Sequence, residues 1–191
     1  MCIRLLRDAR FFQALVEIDD ILAQQTQQAG CSCGGRLDRA DYPRKPRGGP
    51  AQLGAEYDTR WSFCCAKDGC RKRATPCSVR FLGRRVYLGV VVVLATVLAH
   101  GLTGKRLGHL QEQISGSLNA KTIKRWRAWW REIFPATGFW RGCKALLPTP
   151  PKTERLPESL LEQFVGDLEQ RVRSLLYFIL PLTSSRPEQR H

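Results

Sequence analysis

Apolar residues fall at helical spacing near the start of the chain: Phe11, Leu15, Ile18 and Leu22 recur every three or four positions. This predicts an amphipathic helix over residues 1–30, stopped by Gly30. The pattern then changes to Cys31-Ser-Cys33-Gly-Gly35, followed by Tyr42-Pro-Arg-Lys-Pro-Arg-Gly-Gly-Pro50, whose prolines and glycines mark a loop. Arg60 to Cys65 predicts a short strand, Lys67-Asp-Gly69 a turn, and Ser78 to Leu82 a return strand with Val79 and Phe81 on one face.

The second half reads as helices. Tyr87 to Leu102 (YLGVVVVLATVLAHGL) is the most apolar run, sixteen residues without a formal charge. A spanning helix needs about twenty residues, so the run is expected to be a buried core helix, although its four consecutive valines also fit a strand. Next, Leu107, Leu110 and Ile114 share one face, Ser115-Gly-Ser117 makes a turn, and Leu118 inserts toward the core. Asn119 is a good N-cap for a helix from Ala120 to Phe134. Two helices joined by a short glycine-containing turn are the helix-turn-helix signature. Residues 147–157 (LPTPPKTERLP) read as a linker. A last amphipathic helix is expected from Pro157 to Leu180, with Leu161, Phe164, Val165, Leu168, Val172, Leu175 and Leu176 on one face.

The expected organisation is therefore mainly α with a small β zinc ribbon and a helix-turn-helix domain. Its parts are an N-terminal helix (1–30), a ribbon-like module (31–82), a helix-turn-helix domain (84–135), a linker (147–157) and a C-terminal helix (157–181). The last helix would offer a face to a second copy or another protein.

Charge sharpens this picture. The net charge is +14 over 191 residues, which suggests a polyanionic partner. From Thr59 to Arg131 there are fifteen Lys/Arg against two acids, Asp68 and Glu112, so nearly all the excess sits in one central segment. The first residues, MCIRLLRDARFF, lack the apolar run of a secretory signal. Cysteines in a reducing, cytoplasmic compartment are expected to bind metal rather than to form disulfides.

Cys31, Cys33, Cys65 and Cys70 form two close pairs, and zinc prefers four tetrahedral sulfur or nitrogen ligands. Gly34 and Gly35 let the backbone bend back toward a metal. Lys67, Arg71, Lys72 and Arg73 would favour thiolates and offset the charge of the site. Cys64 is an alternative to Cys65, and Cys77 is a spare. The plainer alternative is a set of small buried cysteines without metal.

On the helix from Ala120, a rotation of about 100° per residue puts Ile123, Trp126, Trp130, Ile133 and Phe134 on one side. Lys121, Lys124, Arg125, Ala128 and Arg131 take the other. N-terminal residues of a recognition helix reach base edges, which points to Lys121, Lys124 and Arg125, with Arg127 and Arg131 better placed for phosphates.

The order GCRKRATPCSVRF followed by LNAKTIKRWRAWW resembles the N-terminal zinc-ribbon and helix-turn-helix region of insertion-sequence transposases and their companion proteins, over about residues 31–134. The resemblance implies Cys31, Cys33, Cys65 and Cys70 as zinc ligands, and Lys121 to Arg131 facing the terminal DNA of the element. It also implies a role in transposition, with double-stranded DNA or a transposase as partner. The C-x-C spacing of the first pair departs from the usual ribbon. Such transposases cut DNA with three carboxylates on a β-rich domain. Glu158, Glu162, Asp167 and Glu169 are spaced for a helix surface with no strand pattern to carry them. A zinc-stabilised DNA-binding factor without its own catalytic centre is the expectation. The competing classes are a small basic protein anchored in a membrane by residues 87–102 and an RNA-binding or structural interaction module.

Overall fold

A computed structural model describes residues 2–44, 47–50, 53–82, 87, 89–98 and 119–184. The N-terminal helix comes in two pieces, α1 (Cys2–Leu5) and α2 (Ala9–Ala29). Asp8 restarts the helix: its carboxylate accepts the Arg10 backbone N–H at 3.0 Å and occupies a donor that the first turn leaves unpaired. Gly30, at φ 69°, ends α2 in a conformation that favours glycine. The buried stripe of α2 is Phe11, Phe12, Leu15, Val16, Asp19 and Ala23: Phe11 and Leu15 lie in it as expected, whereas Ile18 and Leu22 lie half-buried at its margin and Asp19 and Ala23 take the inner positions.

Asp19 is nearly fully buried and organises its neighbourhood. It accepts from Arg80 Nε at 2.7 Å, from Ser78 Oγ at 2.5 Å and from the Val79 backbone N–H at 2.7 Å. Arg80, also buried, donates onward to the carbonyls of Glu56, Tyr57 and Thr59, and its guanidinium lies 4.5 Å from the centre of the Trp61 ring. Residues 78–82 therefore form no named strand, contrary to expectation. The Val79 N–H goes to a carboxylate, and the Ser78 hydroxyl takes the N–H groups of Arg80 and Phe81, so local bonds replace a ladder.

Among the described residues the sheets hold five short strands: β1 (Leu37–Arg39), β2 (Tyr42–Pro43), β3 (Thr59–Arg60), β4 (Phe63–Cys65) and β5 (Arg73–Ala74). β4 lies between β1 and β5, and β2 pairs with β3, all antiparallel. The expected Arg60–Cys65 strand is thus split. Both halves keep one register, with Leu37 opposite Cys65 and Tyr42 opposite Arg60. Between them the Asp41 carboxylate takes the Ser62 N–H at 2.9 Å.

The valine run forms helix α3 (Gly89–Leu98), not a strand. Val90 to Ala95 are wholly buried, which is what a helix apolar on every side requires. No helix among the described residues is long and apolar enough to cross a membrane. α3 packs against α4 (Ala120–Ala128), where the Tyr87 and Trp126 rings meet edge to face at 5.0 Å. The expected helix 102–114, the turn 115–117 and Leu118 lie outside the described residues.

After α4 the chain continues through a π-helical turn (Trp129–Ile133), a 3₁₀ turn (Phe134–Ala136) and α5 (Gly138–Cys143). Residues 147–157 are not a free linker. Leu156 is buried, and Arg155 pairs with Glu158 at 3.1 Å and Glu162 at 2.8 Å. The C-terminal helix is also broken, into α6 (Glu158–Leu161) and α7 (Leu168–Phe178). Gly166 takes φ +109°, and Asp167 starts α7 with a reciprocal capping box to Gln170. Val165, expected on the apolar face, is 92% exposed in the intervening loop. Val172, Leu175 and Leu176 are buried, and α7 packs against α3. One apolar cluster runs from Leu5 through α2, the sheet, α3 and α4 to Ile179.

Candidate metal centre and cationic helix

Four cysteines converge where α2 ends and the three-stranded sheet begins. Cys31 and Cys33 lie on the tight loop after Gly30, Cys65 ends β4, and Cys70 closes the turn before β5. The first loop is held by the Gly34 N–H to the Cys31 carbonyl at 2.8 Å and by the Cys31 N–H to the Gly35 carbonyl at 2.9 Å. Gly34 sits at φ +79°. The second loop is closed by the Cys65 N–H to Lys72 at 2.9 Å and the Cys70 N–H to Lys67 at 3.1 Å, with Gly69 at φ +78°. Its Lys67-Asp-Gly69 turn is the one the sequence implies.

The four sulfurs lie within 4.8 Å of one another. Cys31 and Cys70 are 3.7 Å apart, and Cys33 and Cys65 are 3.5 Å apart. An ion held tetrahedrally by four thiolates at about 2.3 Å spaces its ligands about 3.8 Å apart. The cluster therefore has the size of a four-sulfur metal site and can hold a metal ion. With four protein ligands it would leave no position open for substrate or water.

The backbone adds to this. The Gly35 N–H favours the Cys33 thiolate and, with the neighbouring sulfurs, lowers its pKa to about 6. The Lys67 N–H favours the Cys65 thiolate, but burial and the neighbouring sulfurs outweigh it and push the pKa up to about 12. The Lys72 N–H acts in the same way on Cys70, which neighbouring sulfurs and burial also push up. A cation at the centre would reverse the sulfur–sulfur contribution, since coordination deprotonates thiols outright.

Cys64, the alternative to Cys65, points to the other face of β4, where its thiol lies 3.5 Å from the Arg71 carbonyl. Strand alternation separates the two. Cys77 is not part of the cluster. One residue acts differently from its sequence reading. Gly35 was read as a hinge, but a Cβ there would stand 2.6 Å from Cys65 Sγ and 2.9 Å from Lys67 Cβ. The first loop lies so close to the second that only glycine fits. No local sequence signal carries that.

α4 is two-sided. Asn119 caps it, accepting the Lys121 N–H at 2.9 Å. Ile123, Trp126, Trp130 and Phe134 are buried, whereas Lys121, Lys124 and Arg125 are exposed and Arg127 and Arg131 half-buried. A hollow of about 540 Å³ has Asn119, Lys121, Thr122, Lys124, Arg125 and Ala128 as its described lining. Ile133 departs from expectation: it is 57% exposed. The Phe134 N–H reaches back five residues to the Trp129 carbonyl, and this wider π turn carries Ile133 off the stripe while Phe134 stays on it.

The acids considered as a possible catalytic set are each engaged locally. Glu158 and Glu162 pair with Arg155, Asp167 caps α7, and Glu169 pairs with Arg173 at 2.5 Å.

Fold and site together define a mainly helical protein with a small antiparallel sheet and a four-cysteine cluster able to hold a metal ion. No family model matches the chain, and no curated protein or solved structure matches it either.

Proposed function

We propose that this chain is a zinc-stabilised, sequence-specific DNA-binding protein of the cytoplasm. It would act as a transposase-like or transposition accessory factor without a catalytic domain of its own. The observation that carries this reading is the division of α4 between a buried side of Ile123, Trp126 and Trp130 and an exposed one of Lys121, Lys124 and Arg125. The tryptophans anchor the helix, and the exposed cations near its N-terminus, of which Arg125 also donates to Thr122 Oγ1 at 3.3 Å, would meet base edges in a major groove. Arg127 and Arg131 would hold flanking phosphates. Zinc is the metal that best suits four thiolates in a closed tetrahedral site, and its role would be to fix the ribbon rather than to perform chemistry.

A second copy or a transposase partner, expected through the C-terminal helix, would have to use its outer side. That side carries Tyr177, 43% exposed, because the opposite side already packs on α3.

The test is selection of bound duplexes from a random pool, with zinc measured on the same preparation. About one zinc per chain and an enriched sequence are expected. Arg125→Ala should then cost about 1–3 kcal/mol on the preferred site and relax its specificity. Arg131→Ala should weaken all duplexes about equally and lower the salt slope by about 0.9. No enriched sequence, with uniform and purely salt-dependent losses at every cation, would reduce the reading to a non-specific basic surface.

A further inference from the structure

A second cationic surface surrounds the cysteine cluster. Lys67, Arg71 and Lys72 are all exposed and belong to one loop whose ends are tied by the Cys65 N–H to Lys72 carbonyl bond at 2.9 Å. None of the three has an ion-pair partner among the described residues, although Arg36 and Arg39 on the adjoining strand segment pair with Asp38 at 2.9 Å and Asp41 at 2.6 Å. Arg36 adjoins this loop, since its carbonyl accepts the Ala66 N–H at 2.9 Å.

Arg71 adds an independent observation. It is the non-glycine residue with positive φ among the described residues, at +46°. Glycine would adopt that conformation without steric conflict. The neighbouring loops use glycine for the same backbone need, at Gly34 (φ +79°) and Gly69 (φ +78°). The chain therefore keeps an exposed arginine side chain at a conformational cost, and among the described residues its guanidinium has no hydrogen-bond or ion-pair partner.

Long, exposed cations on a loop fixed at both ends suit a ligand with regularly spaced negative charge, because little loop entropy is lost on contact. We propose that Lys67, Arg71 and Lys72 form a second contact surface, one that grips the phosphate backbone of duplex DNA separately from α4. The inference rests on the reading that the partner is DNA. It adds a sequence-independent clamp to a helix that reads sequence.

The experiment uses the full chain, a mixed-sequence duplex of fixed length and a salt titration. Arg71→Gly suits the φ of +46° and should keep the metal while weakening duplex binding with a salt slope lower by about 0.9. Lys67→Gln with Lys72→Gln should lower the slope further, by about 1.8, with zinc content unchanged. Arg10→Ala removes an exposed cation of α2, one that pairs with Asp8 at 3.7 Å, and should leave the slope in place. Unchanged binding in the loop variants with zinc bound overturns the proposal. So does loss of zinc from the lysine variant, which would make its cations part of the metal site, and so does an equal effect of Arg10→Ala. A parallel Lys121→Ala, Lys124→Ala, Arg125→Ala variant separates the two readings. If it alone weakens binding, the clamp fails and the recognition helix stands; if the loop variants alone do so, the reverse holds.

Discussion

Asp19 is the residue whose removal the fold should tolerate least. Its carboxylate, 1% exposed, satisfies three donors from one short segment: the Ser78 hydroxyl, the Val79 N–H and Arg80 Nε. Asp19→Ala strands a fully buried guanidinium, and breaking a buried pair from one side costs about 3–5 kcal/mol. Arg80 keeps the carbonyls of Glu56, Tyr57 and Thr59, so part of its charge remains solvated by protein dipoles. This places the loss toward about 3 kcal/mol, still a large share of the roughly 5–15 kcal/mol that holds a domain together. Asp19→Asn keeps an acceptor for the Val79 N–H and should lie between the two. Asp19→Leu combined with Arg80→Met removes both charges and should cost less than the sum of the single changes, since a pair replaced by apolar residues of similar volume is often tolerated. Urea unfolding followed by far-ultraviolet circular dichroism gives each value, with m as the check that the unfolded states are comparable. A loss below about 1 kcal/mol for Asp19→Ala, or strict additivity in the cycle, would refute the reasoning.

Two further outcomes follow from local geometry. Gly35→Ala should lower metal content and thermal stability together, because its Cβ would meet Cys65 Sγ at 2.6 Å; titration with a chromogenic chelator measures this, and full retention of metal would contradict the close approach. Asp167→Ala removes one half of a reciprocal capping box at the start of α7 and should cost about 0.5–2 kcal/mol; equilibrium unfolding reads it.

The cluster of Cys31, Cys33, Cys65 and Cys70 was legible because close cysteine pairs are rare and each pair needs only a local turn. The choice between Cys64 and Cys65 was not legible, since it depends on which face of β4 meets the first loop. That in turn depends on the Leu37–Cys65 register. The buried side of α4 was legible from its period, and α3 from the absence of any polar face. Residues 78–82 were misread because alternation of Val79 and Phe81 imitates a strand, while the real determinant lies about sixty positions away at Asp19. A carboxylate standing three residues after Val16 and four before Ala23, inside an apolar stripe, was the available signal. The C-terminal helix failed for a local reason. Its apolar spacing is continuous, but Gly166-Asp167 is itself a stop and a start.

The π turn gives the sharpest contrast between pattern and structure. A regular α-helix through 120–134 would put Ile133 and Phe134 both beside Trp130, three and four residues on. Instead, the Phe134 N–H bonds to Trp129, the extra width turns Ile133 outward to 57% exposure, and Phe134 stays fully buried. The Phe134 ring is 4.9 Å from Trp130 and 4.9 Å from Trp140, so it holds the aromatic cluster together. Two adjacent residues of similar hydrophobicity should then respond very differently. Ile133→Lys places a charge in water and should change stability by less than about 0.5 kcal/mol. Phe134→Ala empties a core position and should cost about 3–5 kcal/mol. Urea unfolding of the two variants side by side decides between the geometries. If Ile133→Lys proves as damaging as Phe134→Ala, residue 133 faces the core after all and the helix runs through without the wide turn.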